Sequence, residues 1–387
     1  MFIPYGKQSI SKEDIDEVTK VLKSDFLTQG PLIQNFEKNF CEKVDAKFAT
    51  AVNSGTSALH IACLALGLKE GDWLWTSPIS FVASSNCALY CGANVDFIDI
   101  DSQSFNISTE QLENKLKQAE LEGKLPKIVV PVHLSGHPCD LEKIYKLSQK
   151  YGFYILEDAS HAVGSVYKDS KIGNSKYSHI TVFSFHPVKI ITTGEGGIAV
   201  TNNEDWHKSM QMLKTHGITR NRDYFFQNDK GPWYYEQQYL GFNYRITDIA
   251  CALGISQLKK LEKFINKRNE IAKKYNYFFE STSIGYPQKL DEGNISSYHL
   301  YVIKINKEFT DKSKKQIFIE LRQKGLMVNM HYSPIYSQPF YKKFEFSKKD
   351  YKQAEDYSEH AISLPIFPSL NEKELDYIFD TLTEVIC

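Results

Sequence analysis

The stretch "KIVVPVHLSGHPCDLEKIYKLSQKYGFYILEDASHAVG", residues 127–164, decides the type of fold. Its first ten residues form an apolar run typical of a strand. The segment "DLEKIYKLSQKYG" then has apolar residues at helical spacing, and "FYILEDASHAVG" is a second apolar run that ends in polar residues. Two strands joined through a helix lie parallel in one sheet. We therefore predict a strand–helix–strand unit here.

The same alternation continues on both sides of this stretch. Upstream, the runs "FATAV" (48–52), "DWLWTS" (72–77) and "ANVDFIDID" (93–101) have the composition of strands, as do "HITVFSF" (179–185) and "GIAVTN" (197–202) downstream. Helical patterns accompany them in "SKEDIDEVTKVLKS", "SFVASSNCALYCG" and "STEQLENKLKQAELEG". Apolar strands separated by helices predict an α/β fold with a mostly parallel sheet between layers of helices.

The pattern changes near residue 246, which predicts a second domain. Residues 246–280 form one long helical stretch that suits a connection between domains. Beyond it, "YHLYVIKI" (strand), "SKKQIFIELRQKG" (helix) and "LMVNMHYSPIY" (strand) describe a smaller α/β unit, and "NEKELDYIFDTLTEVI" forms a last helix. We predict a large domain with an N-terminal helix over residues 1–245. A connecting helix and a small C-terminal domain follow over residues 246–387.

Composition argues for an ordinary globular protein. The 387 residues carry 46 Lys and Arg against 47 Asp and Glu, a formal net charge of −1, so nothing indicates a nucleic-acid or membrane surface. The seven cysteines form no CxxC pair and no Cys/His cluster, which favours free thiols and no metal site. No signal-peptide pattern and no 18-residue apolar run is present, so we predict a cytoplasmic location.

Three polar segments follow predicted strands, at the sheet edge where ligands bind in open α/β folds. The first is "NSGTSALH" (53–60), whose small residues leave backbone N–H groups free at the start of a helix. Such a turn can cradle a phosphate group, and Thr56 and Ser57 could add hydroxyl donors. A simple N-cap is the commoner use of such a turn, and the Gly-Lys-Ser/Thr ending of a P-loop is missing.

The second segment, "YILEDASHA" (154–162), places Asp158 directly after an apolar run. A carboxylate there is costly unless it meets a cation or hydrogen-bond donors. Two explanations therefore stay open for Asp158: bonds to backbone N–H groups, or a protonated ring nitrogen of a ligand. His161 lies three residues on, and a histidine in such a place is more often a buried core residue than a catalytic one.

The third segment, "SFHPVKIITTGEGG" (184–197), contains Ser184 and Lys189 between an apolar strand and a glycine-rich turn. A lysine that acts as a nucleophile must be partly neutral, which burial can arrange. Most single lysines are solvated surface charges, but the apolar flanks of Lys189 favour a position inside. Together, the three segments supply what pyridoxal phosphate requires, namely a phosphate cradle, a partner for the pyridine nitrogen and a Schiff-base lysine.

These motifs, together with "LGFNYRITDIACALG" (240–254) and the tail "SLPIFPSL" (363–370), resemble those of the DegT-like family of sugar-nucleotide aminotransferases, which are fold-type I enzymes that depend on pyridoxal phosphate. The resemblance covers nearly the whole chain. It implies that Lys189 joins the cofactor covalently and carries the proton of the reaction, and that Asp158 keeps the pyridine nitrogen protonated. It places His161, where many members have Gln, against the phenolic oxygen of the cofactor, and Phe81 against its ring.

The resemblance also implies how the cofactor phosphate is held. Thr56, Ser57 and Ser184 would bind the phosphate within one chain, and Asn243 would reach the phosphate in the neighbouring subunit. The family therefore implies a homodimer with shared active sites. His331, Tyr332 and Arg245 are further candidates for contact with the substrate, and the roles of His186 and Glu195 stay open.

The N-terminal stretch "IPYGKQSISKEDIDEVTKVLKSDFLTQGP" (3–31) narrows the expected substrate. It resembles aminotransferases of pseudaminic-acid biosynthesis, with "LTQG" (27–30) and "PVHLSGHPCD" (131–140) as the matching motifs. This implies amination at C4 of a UDP-linked 4-keto-6-deoxy N-acetyl hexose, UDP-2-acetamido-2,6-dideoxy-β-L-arabino-hex-4-ulose, with L-glutamate as amino donor. Another nucleotide-linked keto-sugar, aminated at C3 or C4, stays open.

Other function classes fit the sequence less well. Dehydratases related to this family replace the lysine by histidine, whereas Lys189 is present here. A non-enzymatic regulator with the same fold usually loses catalytic residues or gains a DNA-binding segment, and neither is seen. A nicotinamide-dependent oxidoreductase needs a GxGxxG turn after its first strand, and the sequence has none there.

Overall fold

A computed structural model describes residues 1–227 and 230–387 of the chain. The helices are α1 (Lys12–Leu22), α2 (Pro31–Val44), α3 (Gly55–Ala65), α4 (Ala83–Tyr90), α5 (Thr109–Glu122), α6 (Leu141–Tyr151), α7 (Glu204–Leu213), α8 (Asp248–Leu258), α9 (Leu261–Thr282), α10 (Lys314–Gln323), α11 (Lys352–His360) and α12 (Glu372–Ile386). Among the described residues, none of these helices combines the length and the apolar character that crossing a membrane requires.

The strands pair into one large sheet and several small ones. They are β1 (Ile3–Pro4), β2 (Phe48–Val52), β3 (Trp73–Thr76), β4 (Asn94–Phe97), β5 (Ile128–Val130), β6 (Tyr154–Asp158), β7 (Val166–Tyr167), β8 (Ser170–Lys171), β9 (Ile180–Ser184), β10 (Gly197–Thr201), β11 (Ile218–Thr219), β12 (Glu236–Gln237), β13 (Gly285–Pro287), β14 (Tyr301–Ile305), β15 (Leu326–Met327) and β16 (Ala361–Leu364).

The large sheet has the order β2-β10-β9-β6-β5-β3-β4. Its pairs from β9 to β4 are parallel, and β10 runs antiparallel to both of its neighbours. Each of these strands falls in a run that the sequence analysis assigned to a strand. The prediction of a mostly parallel sheet between helices is therefore confirmed.

The side chains of the central strands alternate between two apolar cores, as the period of two in a strand requires. In β9, Val182 packs with residues of α3 and α4 on one face, whereas Phe183 packs with α2 on the other. In β10, Ala199 and Ile198 divide in the same way. Both faces of the sheet are thus covered, and polar side chains have room to gather only at its ends.

The strand register brings the motifs of the sequence to one edge of the sheet. In the parallel pair β6–β9, Asp158 stands opposite Val182, so Ser184 lies two residues beyond it on the next strand. The returning strand β10 places Gly197 opposite both Ser184 and Val52. The turn after β2, the carboxylate at the end of β6 and the loop after β9 therefore meet at the carboxyl ends of the parallel strands.

The C-terminal part of the chain builds a third apolar core. Strands β13, β14 and β16 form an antiparallel sheet that packs with α9, α10 and α12. The strand β15 of this C-terminal part forms a separate parallel pair with β1 at the N-terminus, in which Ile3 stands opposite Leu326. A smaller C-terminal α/β unit was predicted, and its strands and helices are present. The domain boundary after residue 245 stays a prediction.

Two segments differ from the predicted elements. The prediction of one helix over residues 246–280 is wrong. The stretch contains two helices, α8 and α9, separated at Lys259 and Lys260. Residues beside the break are bonded to the N-terminal helix: Lys260 pairs with Asp14, and Gln257 donates to the same carboxylate at 2.8 Å.

The predicted strand 326–336 is paired over β15 and at the isolated bridge between Asn329 and Ser363. Further on, the N–H of Ile335 bonds to the carbonyl oxygen of Pro78 after β3 of the large sheet.

Helix α2 was not predicted, and its first turn is capped from a distance. Pro31 occupies its first position, which proline favours, but the N-cap Gly30 has no side chain to satisfy the free N–H groups. The buried carboxylate of Asp248 accepts hydrogen bonds from the N–H groups of Gly30 (2.8 Å) and Leu32 (3.0 Å). These bonds fix the end of the motif "LTQG" against the start of α8.

Candidate active site

A cavity of about 440 Å³ opens at the carboxyl ends of β2, β6 and β9. Six of the predicted site residues line it: Thr56, Phe81, Asp158, His161, Ser184 and Lys189. Larger clefts of about 740 and 620 Å³ lie beside the edge strand β4 and between α2 and α9. Neither contains any of the predicted site residues, so we assign the candidate site to the smaller cavity.

The floor of the cavity is the first turn of α3. Ser54 is the N-cap, and its hydroxyl accepts a hydrogen bond from the N–H of Ser57 at 3.0 Å. Gly55 and Thr56 face the cavity, where the positive end of the helix attracts an anion. A Cβ on Gly55 would stand 2.9 Å from the Cβ of Ser184, so the glycine allows the two phosphate-binding candidates Thr56 and Ser184 to approach.

Ser57 does not line the cavity. Its hydroxyl donates to the side-chain oxygen of Asn53 at 2.7 Å and lies 2.9 Å from the hydroxyl of Ser54, and the residue is buried. In this position it braces the turn that carries Thr56. Direct contact between Ser57 and a phosphate group stays a prediction.

Asp158 ends β6 and points into the cavity with only 5% of its surface exposed. One carboxylate oxygen accepts a hydrogen bond from the hydroxyl of Ser84 at 2.6 Å, and the other accepts one from the N–H of Ser160 at 3.1 Å. Both donors are neutral, and the part of the chain that the structure describes contains no ion pair with Asp158. The negative charge is therefore oriented and free to face a cationic group of a ligand.

Lys189 lies in the loop between β9 and β10, and its side chain is partly exposed to the cavity. Burial lowers the pKa of its amine to about 8, and the negative charge of Asp158 opposes this shift. Within residues 1–227 and 230–387 no carboxylate forms an ion pair with it. A lysine without a partner and with a lowered pKa is a competent nucleophile near neutral pH.

The glycine-rich turn after Lys189 brings two strands of backbone together. Thr192 accepts a hydrogen bond from the N–H of Gly194 at 2.9 Å, which closes the turn, and Gly194 has a φ of +81° that favours glycine. At Gly197 a Cβ would stand 2.4 Å from the carbonyl oxygen of Ser54 and 2.5 Å from the N–H nitrogen of Gly55. This close approach joins the lysine loop to the phosphate cradle.

We expect Gly197→Ala to disrupt the cradle. The atoms in its way belong to the backbone, so the start of α3 must move away from β10. The expected results are a loss of about 1–3 kcal/mol in the free energy of unfolding, typical of overpacking, and weaker binding of pyridoxal phosphate. Gly6→Ala is the control, because no atom lies within 4 Å of a Cβ built there. Equal melting temperatures and cofactor affinities of the two variants would contradict this role.

Phe81 and Asn243 occupy different environments. Phe81 precedes α4, is 56% exposed and lies on the cavity wall, where its ring is available for stacking. Asn243 is exposed and lies outside this cavity, beside Thr215, with which it forms an isolated β-bridge. Its contact with a neighbouring subunit therefore stays a prediction.

His161 lies buried on the wall of the cavity. Burial and the nearby charge of Lys189 hold its pKa well below the usual value, so the imidazole is neutral. Its ring lies 4.4 Å from that of His299 and its Nε2 lies 3.2 Å from the hydroxyl oxygen of Tyr332. Segments from both halves of the chain thus meet at this histidine.

The sequence analysis did not identify several cavity residues. Ser84 holds Asp158, and Tyr5 and His299 line the wall. Tyr5 and Ser84 lie in segments that the sequence analysis quoted, but nothing in those segments singles out these two side chains, and contacts between distant segments bring them here. Of the further candidates for substrate contact, His331 and Tyr332 line the cavity, as do His186 and Glu195; Arg245 does not, and it is bridged to Val52 instead.

The residues of the cavity fit pyridoxal phosphate. A helix N-terminus with the hydroxyls of Thr56 and Ser184 suits a phosphate group, and the oriented carboxylate of Asp158 suits a protonated pyridine nitrogen. The amine of Lys189 suits an aldehyde, and the ring of Phe81 suits a flat aromatic ring. Burial also keeps His331 on the cavity wall neutral, with a pKa of about 3, so this histidine adds no competing charge.

Comparison with known proteins agrees with this chemistry. The profile of the DegT/DnrJ/EryC1/StrS aminotransferase family matches residues 8–383. The chain is 38% identical over 385 residues to the UDP-4-amino-4,6-dideoxy-N-acetyl-beta-L-altrosamine transaminase of Campylobacter jejuni, covering 99% of this chain and 97% of that relative.

Solved structures give the same result. Helicobacter pylori PseC, an aminotransferase involved in the biosynthesis of pseudoaminic acid, superposes with a TM-score of 0.90 at 33% identity, covering 100% of this chain and 99% of that one. The PLP-form of Spr1654 from Streptococcus pneumoniae, a sugar aminotransferase by its description, has a TM-score of 0.88 at 27% identity and covers 100% and 98%. The likeness extends over both parts of the chain.

Proposed function

Since this chain belongs to the DegT/DnrJ/EryC1/StrS aminotransferase family, we propose that it transfers the amino group of L-glutamate to C4 of a UDP-linked 4-keto-6-deoxy N-acetyl hexose. The family consists of sugar aminotransferases that depend on pyridoxal phosphate, with the fold of type I. One observation carries the proposal: Lys189, without an ion-pair partner in the described chain, shares one cavity with the oriented carboxylate of Asp158 and the phosphate-type turn at Thr56.

In this proposal Thr56 and Ser184 hold the phosphate of the cofactor, with Ser57 as their brace, and Phe81 covers its ring. Bound pyridoxal phosphate supplies an electron sink, which lets the carbon bonded to nitrogen give up or take up a proton. Asp158 keeps the ring nitrogen protonated, because a buried carboxylate strongly favours the cationic form of a neighbouring base. Lys189 would hold the cofactor through its amine and would serve as the base that moves the proton at the substrate carbon.

The identity of the sugar is supported at a finer level by the relatives. The C. jejuni enzyme is named for a 4-amino-4,6-dideoxy-N-acetyl-altrosamine product, and the motif "LTQG" at 27–30 resembles that subfamily. Asp248 fixes this motif through the N–H of Gly30. We therefore propose UDP-2-acetamido-2,6-dideoxy-β-L-arabino-hex-4-ulose as substrate, with the 4-amino sugar nucleotide of pseudaminic-acid biosynthesis as product.

A homodimer with shared active sites is part of the same proposal. Large apolar side chains are exposed in the segment that precedes Asn243: Phe226, Trp233 and Leu240 have 88%, 73% and 79% of their surface exposed. We take these side chains as parts of one interaction surface, because large exposed apolar patches mark such surfaces. A second copy packed on this segment would cover them and bring Asn243 towards the phosphate in the other chain.

The function is tested by supplying the purified protein with pyridoxal phosphate, L-glutamate and a panel of UDP-linked 4-keto-6-deoxy and 3-keto sugars. We expect amination of the proposed 4-keto sugar, with 2-oxoglutarate formed in equal amount and an amino group at C4 in the product's NMR spectrum. A preference for a 3-keto sugar would show that amination occurs at C3 and that the proposed substrate is wrong. A deoxy-sugar product without an amino group would show that the protein is a dehydratase and would refute the transferase function.

A further inference from the structure

The neighbours of His161 fix which of its ring nitrogens carries the proton. The backbone N–H of Ser135 donates a hydrogen bond to Nδ1 at 3.3 Å, so Nδ1 must present a lone pair. The imidazole is neutral, since burial and Lys189 lower its pKa well below the usual value. A neutral imidazole has one N–H group, which in His161 is therefore at Nε2.

This tautomer determines the direction of the Tyr332 hydroxyl. Nε2 of His161 lies 3.2 Å from the Tyr332 oxygen, and as a donor it requires a lone pair of that oxygen. The hydroxyl hydrogen of Tyr332 must then point elsewhere. No acceptor for it is found among residues 1–227 and 230–387, and Tyr332 lines the cavity that contains Lys189 and Asp158.

We infer that Tyr332 is a directed hydrogen-bond donor that binds an oxygen atom of the ligand in this cavity, and that Ser135 and His161 set its direction. The inference rests on the proposed function for the identity of the ligand. Two ligand oxygens have the required chemistry, an acceptor without a hydrogen of its own: the keto oxygen at the reacting carbon of the sugar, and the phenolic oxygen of pyridoxal phosphate.

The surroundings of Tyr332 suit a rigid donor. Its ring stacks on that of His161 at 6.2 Å and an interplanar angle of 24°, and lies 6.1 Å from the ring of Phe81. Tyr357 donates a hydrogen bond to the carbonyl oxygen of the preceding residue, His331. Burial raises the pKa of the Tyr332 phenol, so it stays protonated over the working range of pH. A donor fixed before the ligand arrives costs no reorganisation during reaction.

The test is Tyr332→Phe, which removes the hydroxyl and keeps the ring. Two measurements separate the two oxygens. The first follows the affinity of the ligand-free protein for pyridoxal phosphate and the pH titration of the absorption band of the complex. The second follows single turnovers of the amino-loaded protein with the keto-sugar, beside single turnovers of the loaded enzyme with L-glutamate.

If Tyr332 binds the sugar oxygen, we expect the keto-sugar reaction to slow about 10²-fold, with the L-glutamate reaction within about twofold of the wild type. If it binds the phenolic oxygen, the dissociation constant of the cofactor should rise about tenfold, a loss typical of one hydrogen bond, and the spectral titration should shift. A normal keto-sugar reaction together with unchanged cofactor binding and spectrum would overturn the inference.

Two further variants distinguish a directing role from a structural one. Tyr301→Phe removes another buried phenol hydroxyl, which donates to Asn276 at 2.6 Å; neither residue lines the cavity, so this variant should leave both measurements within about twofold. His161→Phe removes the directing N–H, so its effect should not add to that of Tyr332→Phe in the double variant. Full additivity would refute the coupling between the two residues.

Failure of this inference and failure of the proposed function give different results. If the wild-type protein aminates no sugar in the panel, the proposed function fails while the cofactor measurement on Tyr332→Phe is still read directly. An unchanged cofactor affinity and spectrum would then overturn the inference too. If the wild-type protein is active and Tyr332→Phe behaves like it in every measurement, the inference fails and the proposed function stands.

Discussion

Lys189→Ala is expected to lower turnover by at least about 10³-fold, because in the proposed function this one side chain both attaches the cofactor and transfers the proton. The measurement is 2-oxoglutarate formation from L-glutamate. In addition, borohydride treatment of the loaded wild-type protein should leave the cofactor bound to the peptide that contains Lys189. The same treatment of the variant should leave that peptide unmodified.

Lys314→Ala is the matched control for this substitution. Lys314 is also half-buried with a pKa lowered by burial, but it lies in α10 and donates to the carbonyl oxygen of Ser358. Turnover of this variant should stay within about threefold of the wild type, in line with a position away from the site. If Lys189→Ala kept similar turnover, the assignment of the reactive amine would be wrong.

The lowered pKa of Lys189 also predicts how cofactor uptake depends on pH. Only the neutral amine attacks an aldehyde, and its pKa in the ligand-free protein is about 8. The uptake rate should therefore rise about tenfold per pH unit below pH 8 and level off above it. Stopped-flow absorbance between pH 6 and 10 measures this. A profile that rises up to the ordinary lysine pKa would show that Lys189 is solvated.

Asp158→Asn is expected to lower turnover by about 10²–10³-fold, the range seen when a group that stabilises developing charge is lost. The amide has nearly the same shape and can still accept from Ser84 or from the N–H of Ser160, so the fold should be retained. It carries no charge, however, and cannot keep a pyridine nitrogen protonated. We therefore expect turnover to fall strongly while the melting temperature of the variant stays close to that of the wild type.

Asp101→Asn is the control for this second substitution. Asp101 is an exposed carboxylate that accepts backbone N–H bonds from Gln103 and Ser104 and does not line the cavity. Its replacement removes a similar charge without touching the candidate site, and activity should stay near that of the wild type. Loss of activity in Asp101→Asn equal to that in Asp158→Asn would indicate a general effect of charge. In that case Asp158 would have no special role.

The sequence alone predicted the frame of the protein because its signals are local. The apolar runs that became β5, β6 and β9 are short-range patterns, and the helix α6 between β5 and β6 favours the parallel pairing of those two strands. Polar residues at the ends of such strands must meet at one edge of the sheet, which is why Asp158, Ser184 and Lys189 could be grouped by their positions in the chain. The break between α8 and α9 was missed because its contacts with Asp14 lie far away in the chain.

The wall of the cavity depended on tertiary structure. Ser84 meets Asp158 from 74 residues away, and Tyr332 meets His161 from 171 residues away. Neither pair leaves a pattern in the sequence, since each contact exists only once α4 and the C-terminal part have packed against the sheet. The hydroxyl of Ser57 bonds to Asn53 only four residues away, a local contact that the sequence analysis did not consider when it proposed Ser57 as a phosphate ligand.

The sequence by itself thus determined the sheet, the edge where ligands bind and the residue types that suit pyridoxal phosphate. Only the tertiary structure decided which of these groups are free and which way they point. The proton of His161 is at Nε2 because the backbone of Ser135 occupies Nδ1, and the hydroxyl of Tyr332 faces the cavity for the same reason. Hydrogen-bond direction depends on the three-dimensional neighbours of a side chain, which local sequence does not specify.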